Sequence, residues 1–248
     1  MDALSINNLY YNNIINNLNL NLKYGSFNIL IGKNSSGKTT LAELILKMHK
    51  YSGDINIYTN QKEIGITTEK NILFDGTVFD NLIFPLQNQN IKNLKNIVYD
   101  FSKKFNIENI LYKDIKELTN SQYKLIQILS SIIHNPKLII IDDSLDDLIY
   151  SDKKTLLQYL KIKSSDNCIL ILTSSSDYLE YADNILILES GSIIKSLTYK
   201  ELVDEEKLLN HNNIKIPFIY DMFNKLKFYN LIDDNPKSID ELVMKIWK

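Results

Sequence analysis

The residues with the clearest chemical pattern are Gly32-Lys33-Asn34-Ser35-Ser36-Gly37-Lys38-Thr39. Two glycines frame the loop, so backbone N–H groups can curl around phosphate oxygens without Cβ clashes. An apolar run, Phe27 to Ile31, precedes it, and a segment of helical periodicity follows from Thr39 through Leu41, Leu44, Ile45 and Met48 to Lys50. The helix N-terminus then faces the same anion. Lys38 is placed to reach β- and γ-phosphates, and the Thr39 hydroxyl to coordinate Mg²⁺; Thr40 belongs to the same set. A chance Gly/Ser turn would not bring strand, loop, Lys-Thr and helix in this order. The pattern predicts binding of a nucleoside triphosphate, ATP with Mg²⁺.

A second acidic position complements the loop. Leu138 to Ile141 is an apolar run ending in Asp142-Asp143. This reads as a buried strand with carboxylates at its carboxyl end, where Asp142 can hold Mg²⁺ directly or through water. Asp143 stands where a general base that orients water would sit. Asp146 and Asp147 extend the acidic cluster, with a capping or solvated role open to both.

The elements that must position these groups alternate between strand and helix. Leu4 to Tyr11 and Ile14 to Lys23 read as an antiparallel layer, and Phe27 to Ile31 as a buried parallel strand. Ile91 to His134 is mostly helical in pattern, and Leu156 to Lys163 is a further helix. Ile169 to Leu172 is another buried strand, and Ile185 to Glu189 with Ile193-Ile194 forms a hairpin across Ser190-Gly191-Ser192. The expected fold is α/β with a parallel core sheet, an antiparallel β layer and a helical subdomain at about 75–135. The main domain is expected over 1–205. A small helical appendage at 206–248 carries amphipathic segments Ile219 to Leu231 and Ile239 to Trp247.

Composition narrows the classes further. The 248 residues are 44% hydrophobic and 23% charged, ordinary values for a globular chain. A formal charge of −2 argues against a nucleic-acid partner held by a basic surface. All 28 basic residues are Lys; the bias runs through every kind of segment and reflects genome composition. The single cysteine, Cys168, can form no internal disulfide or Cys-based metal cluster, and lies in an apolar run as a core thiol. The start of the chain lacks signal-peptide character, and no apolar stretch approaches the ~18–20 residues that span a bilayer. Any membrane role is therefore expected to be peripheral.

The order of motifs from Leu4 to about Val203 resembles the nucleotide-binding subunit of ATP-binding-cassette (ABC) transporters, a P-loop NTPase fold. The glycine-framed loop matches Walker A, Gly32 to Thr39, and Leu138 to Asp143 matches Walker B. Leu118-Thr119-Asn120-Ser121-Gln122 falls where the family has its Leu-Ser-Gly-Gly-Gln signature, and Asp75 to Leu82 resembles the stretch after its Q-loop. Tyr11, or failing that Tyr10, is placed to stack on adenine, although a bare Tyr is more often a core residue. Ile216-Pro217-Phe218 and Ser238 to Val243 with Trp247 resemble the tail of energy-coupling-factor ATPases, the paired cassettes of vitamin and transition-metal-ion importers. A generic packed helix pair would share much of that tail pattern.

The resemblance implies ATP and Mg²⁺, a second ABC ATPase subunit in a heterodimer, an integral membrane coupling subunit and a membrane subunit that binds cargo. It implies a location on the cytoplasmic face of the membrane, with no nucleic-acid role. Around Glu69 to Pro85 it implies the docking surface for the membrane subunit. In the family each ATP lies between the Walker motifs of one cassette and the signature of the other. Several positions depart from the pattern: Glu69 stands for the Q-loop Gln, Asn120 and Ser121 for the signature glycines, Asp143 for the general-base Glu, and Ser174 for the switch His. Asp falls short of Glu by about 1–1.5 Å, and a displacement of that order can cost about 100-fold in rate. Ser174 can donate a hydrogen bond but cannot carry charge near neutral pH. Binding is expected to survive and hydrolysis at the chain's own Walker site to be slow. Asn120 and Ser121 add Cβ atoms at the partner's site, weakening or reshaping it. A non-transport regulatory or structural cassette is the competing reading. A kinase or GTPase lacks support, since no Asn-Lys-x-Asp motif is present.

Overall fold

The computed structural model describes residues 1–68, 72–87, 92–212, 214–215, 218–232 and 239–246. Glu69, Ile216-Pro217, Ser238 and Trp247 lie outside the described residues. Strands β1 (Asp2–Tyr11) and β2 (Ile15–Lys23) lead to β3 (Ser26–Ile31), the glycine-framed loop and helix α1 (Lys38–Ile45). β4 (Ser52–Ile57) and β5 (Ile64–Thr67) come next, then α2 (Val78–Gln87), α3 (Leu94–Lys104) and α4 (Asn120–Ile132). β6 (Leu138–Asp142), α5 (Tyr150–Lys163), β7 (Cys168–Thr173), β8 (Asn184–Glu189) and β9 (Ser192–Leu197) complete the sheets. Helices α6 (Glu206–His211), α7 (Phe218–Phe228) and α8 (Ile239–Ile246) end the chain.

Two sheets result. β2-β1-β4 is antiparallel, and β5-β6-β7-β3-β8-β9 is parallel except for the terminal β9. The parallel strands read as continuous apolar runs because both faces are covered. Side chains alternate faces along a strand, and the sequence sorts itself accordingly. Phe27, Ile29, Ile31, Ile139, Ile141, Ile169 and Ile171 face the core shared with α2 to α5. Leu30, Leu138, Ile140, Leu170 and Leu172 face α1 and the antiparallel layer, meeting Leu4, Leu18 and Leu41. Asn28, buried in the middle strand, is tolerated because its polar atoms are matched. Its amide donates to Ile169 O at 3.0 Å, and its Oδ1 accepts from Asn184 Nδ2 at 2.9 Å.

The turn between β8 and β9 matches its sequence signal. Ser190 (φ 49) and Gly191 (φ 78) are both left-handed, as a two-residue hairpin with right-handed strand twist requires. A Cβ on Gly191 would meet Ile14 O at 2.0 Å, so this position is closed to any other residue. Through that contact the hairpin seats on the β1–β2 turn.

The helix after the phosphate loop is shorter than its periodicity predicts. It ends at Ile45 rather than Lys50. Lys47 adopts φ 58, its N–H donates to Leu44 O, and Met48 N donates to Glu43 O. These are the paired bonds of a Schellman cap, here closed by Lys in place of the usual Gly. Two elements carry no advance signal in the sequence pattern: β4 and β5, short strands beside charged turns. Helices α7 and α8 share a small core of Phe223, Ile232 and Leu242, separate from the two large ones.

Cys168 is fully buried, and burial pushes its thiol up to about 12. A raised pKa leaves the neutral, unreactive thiol in place throughout the neutral range. Folded protein at pH 8 should therefore react with an aromatic disulfide reagent at least about 100-fold more slowly than protein in guanidinium. Comparable rates in the two states would contradict the burial.

Candidate phosphate-binding site

The loop begins where β3 ends, between β7 and β8. Gly32 N donates to Thr173 O at 3.2 Å, which ties the loop to the end of β7. A Cβ on Gly32 would lie 2.6 Å from Leu188 O and 2.7 Å from Ser36 Oγ, so the chain passes only as glycine. Ser35 (φ 65) and Gly37 (φ 107) turn the backbone left-handed on either side of Ser36. Successive N–H groups in such a turn form an anion-binding concavity, and α1 opens directly from Gly37. Thr39 and Thr40 are half-buried on its first turn.

Lys38 is buried and folded back over the loop. Its ammonium donates to Gly32 O at 3.0 Å and Lys33 O at 3.1 Å, and lies 3.8 Å from Asp143 Oδ2. These carbonyls hold the charge in a dry environment, at the place the loop reserves for an anion. Asp143 itself has φ 40, uncommon for a non-glycine residue. Its N–H donates to Leu172 O at 3.0 Å and its Oδ1 accepts from Ser174 N at 3.2 Å. Asp142 is fully buried at the end of β6, with Ser144 Oγ donating to its carbonyl at 2.7 Å. Lys38, Asp143 and Ser174 thus meet at the carboxyl ends of β3, β6 and β7, where open α/β sheets carry their ligands.

A cavity of about 390 Å³ opens beside this cluster, lined by Gly32, Lys33, Asn34, Ser174, Asn212 and Ile214. The last two come from the segment after α6 and carry no motif. The wall behind Ser174 is also unsignalled in the sequence. Thr173 Oγ1 and Tyr178 OH lie 2.5 Å apart, and Ser175 N donates to Thr173 Oγ1 at 2.9 Å. Burial, reinforced by the Asp146 charge, pushes the Tyr178 phenol far above its ordinary value, so it stays protonated. Lys153 sits 5.7 Å above the Tyr178 ring and pairs with Asp146 at 3.3 Å. Asp146 therefore has a surface ion-pair partner.

Leu118 to Gln122 stands apart from this cavity. Thr119 caps α4: its Oγ1 accepts from Gln122 N at 3.3 Å, and Gln122 Oε1 accepts from Thr119 N at 3.1 Å. This reciprocal capping box leaves the Thr119 hydroxyl hydrogen available, and Thr119 and Asn120 are exposed. Ser121 Oγ accepts from Ile149 N at 3.0 Å, which links this motif to the Asp146-Asp147 loop of the same chain. Leu118 packs against the larger core.

Tyr11 is half-buried, packed on the second core, with its ring centroid 5.4 Å from that of His49. Tyr10 is 47% exposed. Both line a cavity of about 350 Å³ with Asn12, Asn13, Lys50 and Tyr51. The neighbouring Ile14 and Ile15 touch Gly37, since a Cβ there would meet Ile15 Cδ1 at 2.9 Å. Tyr11 faces Ile15 across the β1–β2 turn.

A glycine-framed loop between a buried parallel strand and a helix, with acidic residues closing the neighbouring strand, defines the P-loop nucleotide-binding class. The family model described as ABC transporter matches residues 15–146, and the chain belongs to that family. It is 28% identical over 245 residues to the energy-coupling factor transporter ATP-binding protein EcfA1 of Mycoplasma mobile, covering 92% of this chain and 89% of that one. The protein of the same name in Mycoplasma pneumoniae is 26% identical over 251 residues, covering 95% and 91%. Among solved structures, cbiO1 from Clostridium perfringens, part of the ABC transporter complex cbiONQ, superposes with a TM-score of 0.71 at 23% identity. It covers 90% of this chain and 99% of that one. A bacterial Atm1-family ABC exporter with ATP bound gives a TM-score of 0.74 at 16% identity, covering 84% and 40%. The fold is the ABC cassette. Among the described residues no helix is long and apolar enough to cross a membrane.

Gly37→Ala tests the loop geometry. A Cβ at φ 107 is strained and meets Ile15, with a cost of about 1–2 kcal/mol for the left-handed backbone alone. Nucleotide affinity, read by calorimetry, should fall at least about tenfold, because the loop must shift to relieve that strain. Unchanged affinity and an unchanged melting temperature would show that this turn does not shape the site.

Proposed function

We propose that this chain is the ATP-binding subunit of an energy-coupling-factor-type ABC importer. The observation that carries this reading is the convergence of Lys38, Asp143 and Ser174 on the glycine-framed loop, in a chain whose relatives are named ATP-binding proteins of energy-coupling-factor transporters. The backbone from Gly32 to Gly37 would cradle the triphosphate, with Lys38 leaving its loop carbonyls for phosphate oxygens. Two hard oxygen donors, the Thr39 hydroxyl and the Asp142 carboxylate, suit Mg²⁺, whose remaining positions fall to phosphate and water. The ion would neutralise phosphate charge. Tyr11 would meet the adenine.

Asp143 would act as the base that orients water, from a carboxylate shorter than Glu, with Ser174 donating a hydrogen bond to the terminal phosphate. Its own site would therefore bind ATP firmly and turn it over slowly. Leu118 to Gln122 would complete the site of a second cassette, with Thr119 O–H and the N-terminus of α4 offered to that partner's nucleotide. Closure of the pair would be passed to an integral membrane subunit at the surface of residues 69–85, a second membrane subunit binding the cargo, a vitamin or transition-metal ion. The chain would sit peripherally on the cytoplasmic face. Glu69, the residue in the Q-loop position, belongs to this proposed surface.

ATP binding and steady-state hydrolysis are to be measured on the chain alone and with its partner cassette, with and without Lys38→Ala. The expected outcome is Mg²⁺-ATP binding with negligible turnover alone, turnover with the partner, and a loss of about 10- to 100-fold in affinity on Lys38→Ala, the worth of charge-assisted hydrogen bonds. Co-purification with soluble proteins alone would favour a non-transport cassette instead. Asp143→Glu restores the missing methylene, and should raise turnover of the paired form about tenfold or more. Brisk hydrolysis by the unmodified chain alone would sink the argument that Asp143 and Ser174 slow the site.

A further inference from the structure

β7 ends at Thr173, and this residue joins the phosphate loop to the turn that follows the strand. Its carbonyl accepts from Gly32 N at 3.2 Å, and its Oγ1 accepts from Ser175 N at 2.9 Å. The same Oγ1 lies 2.5 Å from Tyr178 OH. Between these anchors Ser174 N donates to Asp143 Oδ1 at 3.2 Å. The hydroxyl pair thus closes the loop from Thr173 to Tyr178 at its base, while Ser174 stays exposed at its front. Thr173 is fully buried and Tyr178 is 2% exposed, so the two hydroxyls meet away from bulk water. The ring is held as well. Lys153 Nζ lies 5.7 Å from its centroid and 3.3 Å from Asp146 Oδ1, which joins Tyr178 to the loop that follows β6. Packing alone asks only for a ring here. The hydroxyl meets the one side chain from which the backbone of the turn hangs.

We propose that Tyr178 is a positioning residue of the nucleotide site: through Thr173 it fixes the turn at 173–175 and keeps the Ser174 N–H on Asp143. This rests on the reading of Asp143 as the residue that orients water. Asp143 is partly exposed, its backbone carries φ 40, and the Lys38 ammonium lies 3.8 Å from its Oδ2. A carboxylate drawn toward an ammonium keeps its place only as far as its other donors keep theirs. A misplacement of about 1 Å at a reacting group can cost about 100-fold in rate. Phosphate binding by the loop backbone and Lys38 does not pass through the Tyr178 hydroxyl, because the bond from Gly32 N to Thr173 O continues the pairing of β3 with β7. Tyr178 therefore acts on turnover and not on affinity.

The test compares the wild type with Tyr178→Phe, Thr173→Val and the double variant, all as full chains. Phe keeps the buried ring and Val the shape of Thr, so each single change leaves one hydroxyl unpaired and the double change removes both. In the isolated chain, amide exchange at Ser174 and Ser175 should quicken about tenfold in Tyr178→Phe, once any change shared with the amides of β3 is divided out. Unchanged rates at both amides overturn the inference. Turnover at this chain's own site is read by pairing it with a partner cassette whose Walker lysine is replaced by Ala. Tyr178→Phe should lower that turnover about tenfold, with Mg²⁺-ATP affinity within about twofold of the wild type. The double variant should regain much of the melting temperature that the single variants lose, since apolar groups of the same shape replace a buried polar pair at little cost. Its turnover should nevertheless stay as low as that of Thr173→Val. If turnover recovers with the melting temperature, falls by the same factor as affinity, or does not change in Tyr178→Phe, the pair is structural only and the inference is overturned. A wild-type pair that does not hydrolyse ATP removes the hydrolysis reading alone, and the exchange rates still decide the role of Tyr178.

Discussion

Strand β3 is hydrogen-bonded on both edges, by β7 and β8, and covered on both faces, so its carboxyl end has a single way out. That exit passes within contact distance of the Leu188 carbonyl, where only a hydrogen atom fits on Gly32. The chain must then turn left-handed twice before it can start α1. The Gly32 and Ser36 N–H groups are taken up by Thr173 O and Lys33 O, and the left-handed turns at Ser35 and Gly37 shape the concavity between strand and helix. The anion-binding concavity follows from the burial of a strand.

A concentration of positive partial charge needs management before any ligand arrives. Lys38 would add a full charge to it in a buried place, and lone buried charges are costly. The carbonyls of Gly32 and Lys33 and the carboxylate of Asp143 supply the compensation. Asp143 is held in turn by the Ser174 N–H and by a φ of 40 that few non-glycine residues adopt. Tension is thus stored on the acidic side, while the lysine keeps two neutral partners that an arriving phosphate can replace. Local strain of this kind collects where a ligand will relieve or use it.

The parallel strands were legible because a sheet covered on both faces demands uninterrupted apolar runs, and Leu138 to Ile141 and Ile169 to Leu172 supply them. The phosphate loop was legible because Gly32 and Gly37 are spaced by a steric requirement. Where a local rule is met by an unusual residue, the reading overshoots. The end of α1 is closed by Lys47 in a conformation usually given to glycine, so periodicity ran on to Lys50. β4 and β5 were missed because they are short and their partners lie far away in sequence. The rear of the site was illegible for a related reason. Thr173, Tyr178 and Lys153 meet through packing, and Asn212 reaches the loop only because α6 is pinned to the terminal hairpin. None of these contacts leaves a spacing rule in the chain.

On the proposed reading, the departures from the family pattern fall unevenly on the two composite sites to which such a chain contributes. Asp143 and Ser174 shorten or neutralise groups that act on water and on the terminal phosphate, while Lys38, Thr39 and Asp142, the groups that hold phosphate and metal, are retained. Chemistry would be weakened and binding would not, which would suit a site that closes on ATP and reopens slowly. On the signature side, the capping box between Thr119 and Gln122 still orders the start of α4, and Ser121 ties that start to the loop after β6 through the Ile149 N–H. A side chain introduced in place of glycine has thus become a link between the surface offered to the partner and the acidic loop near the chain's own site. A movement of one element would be felt by the other through a single hydrogen bond, without any backbone approach that only glycine allows.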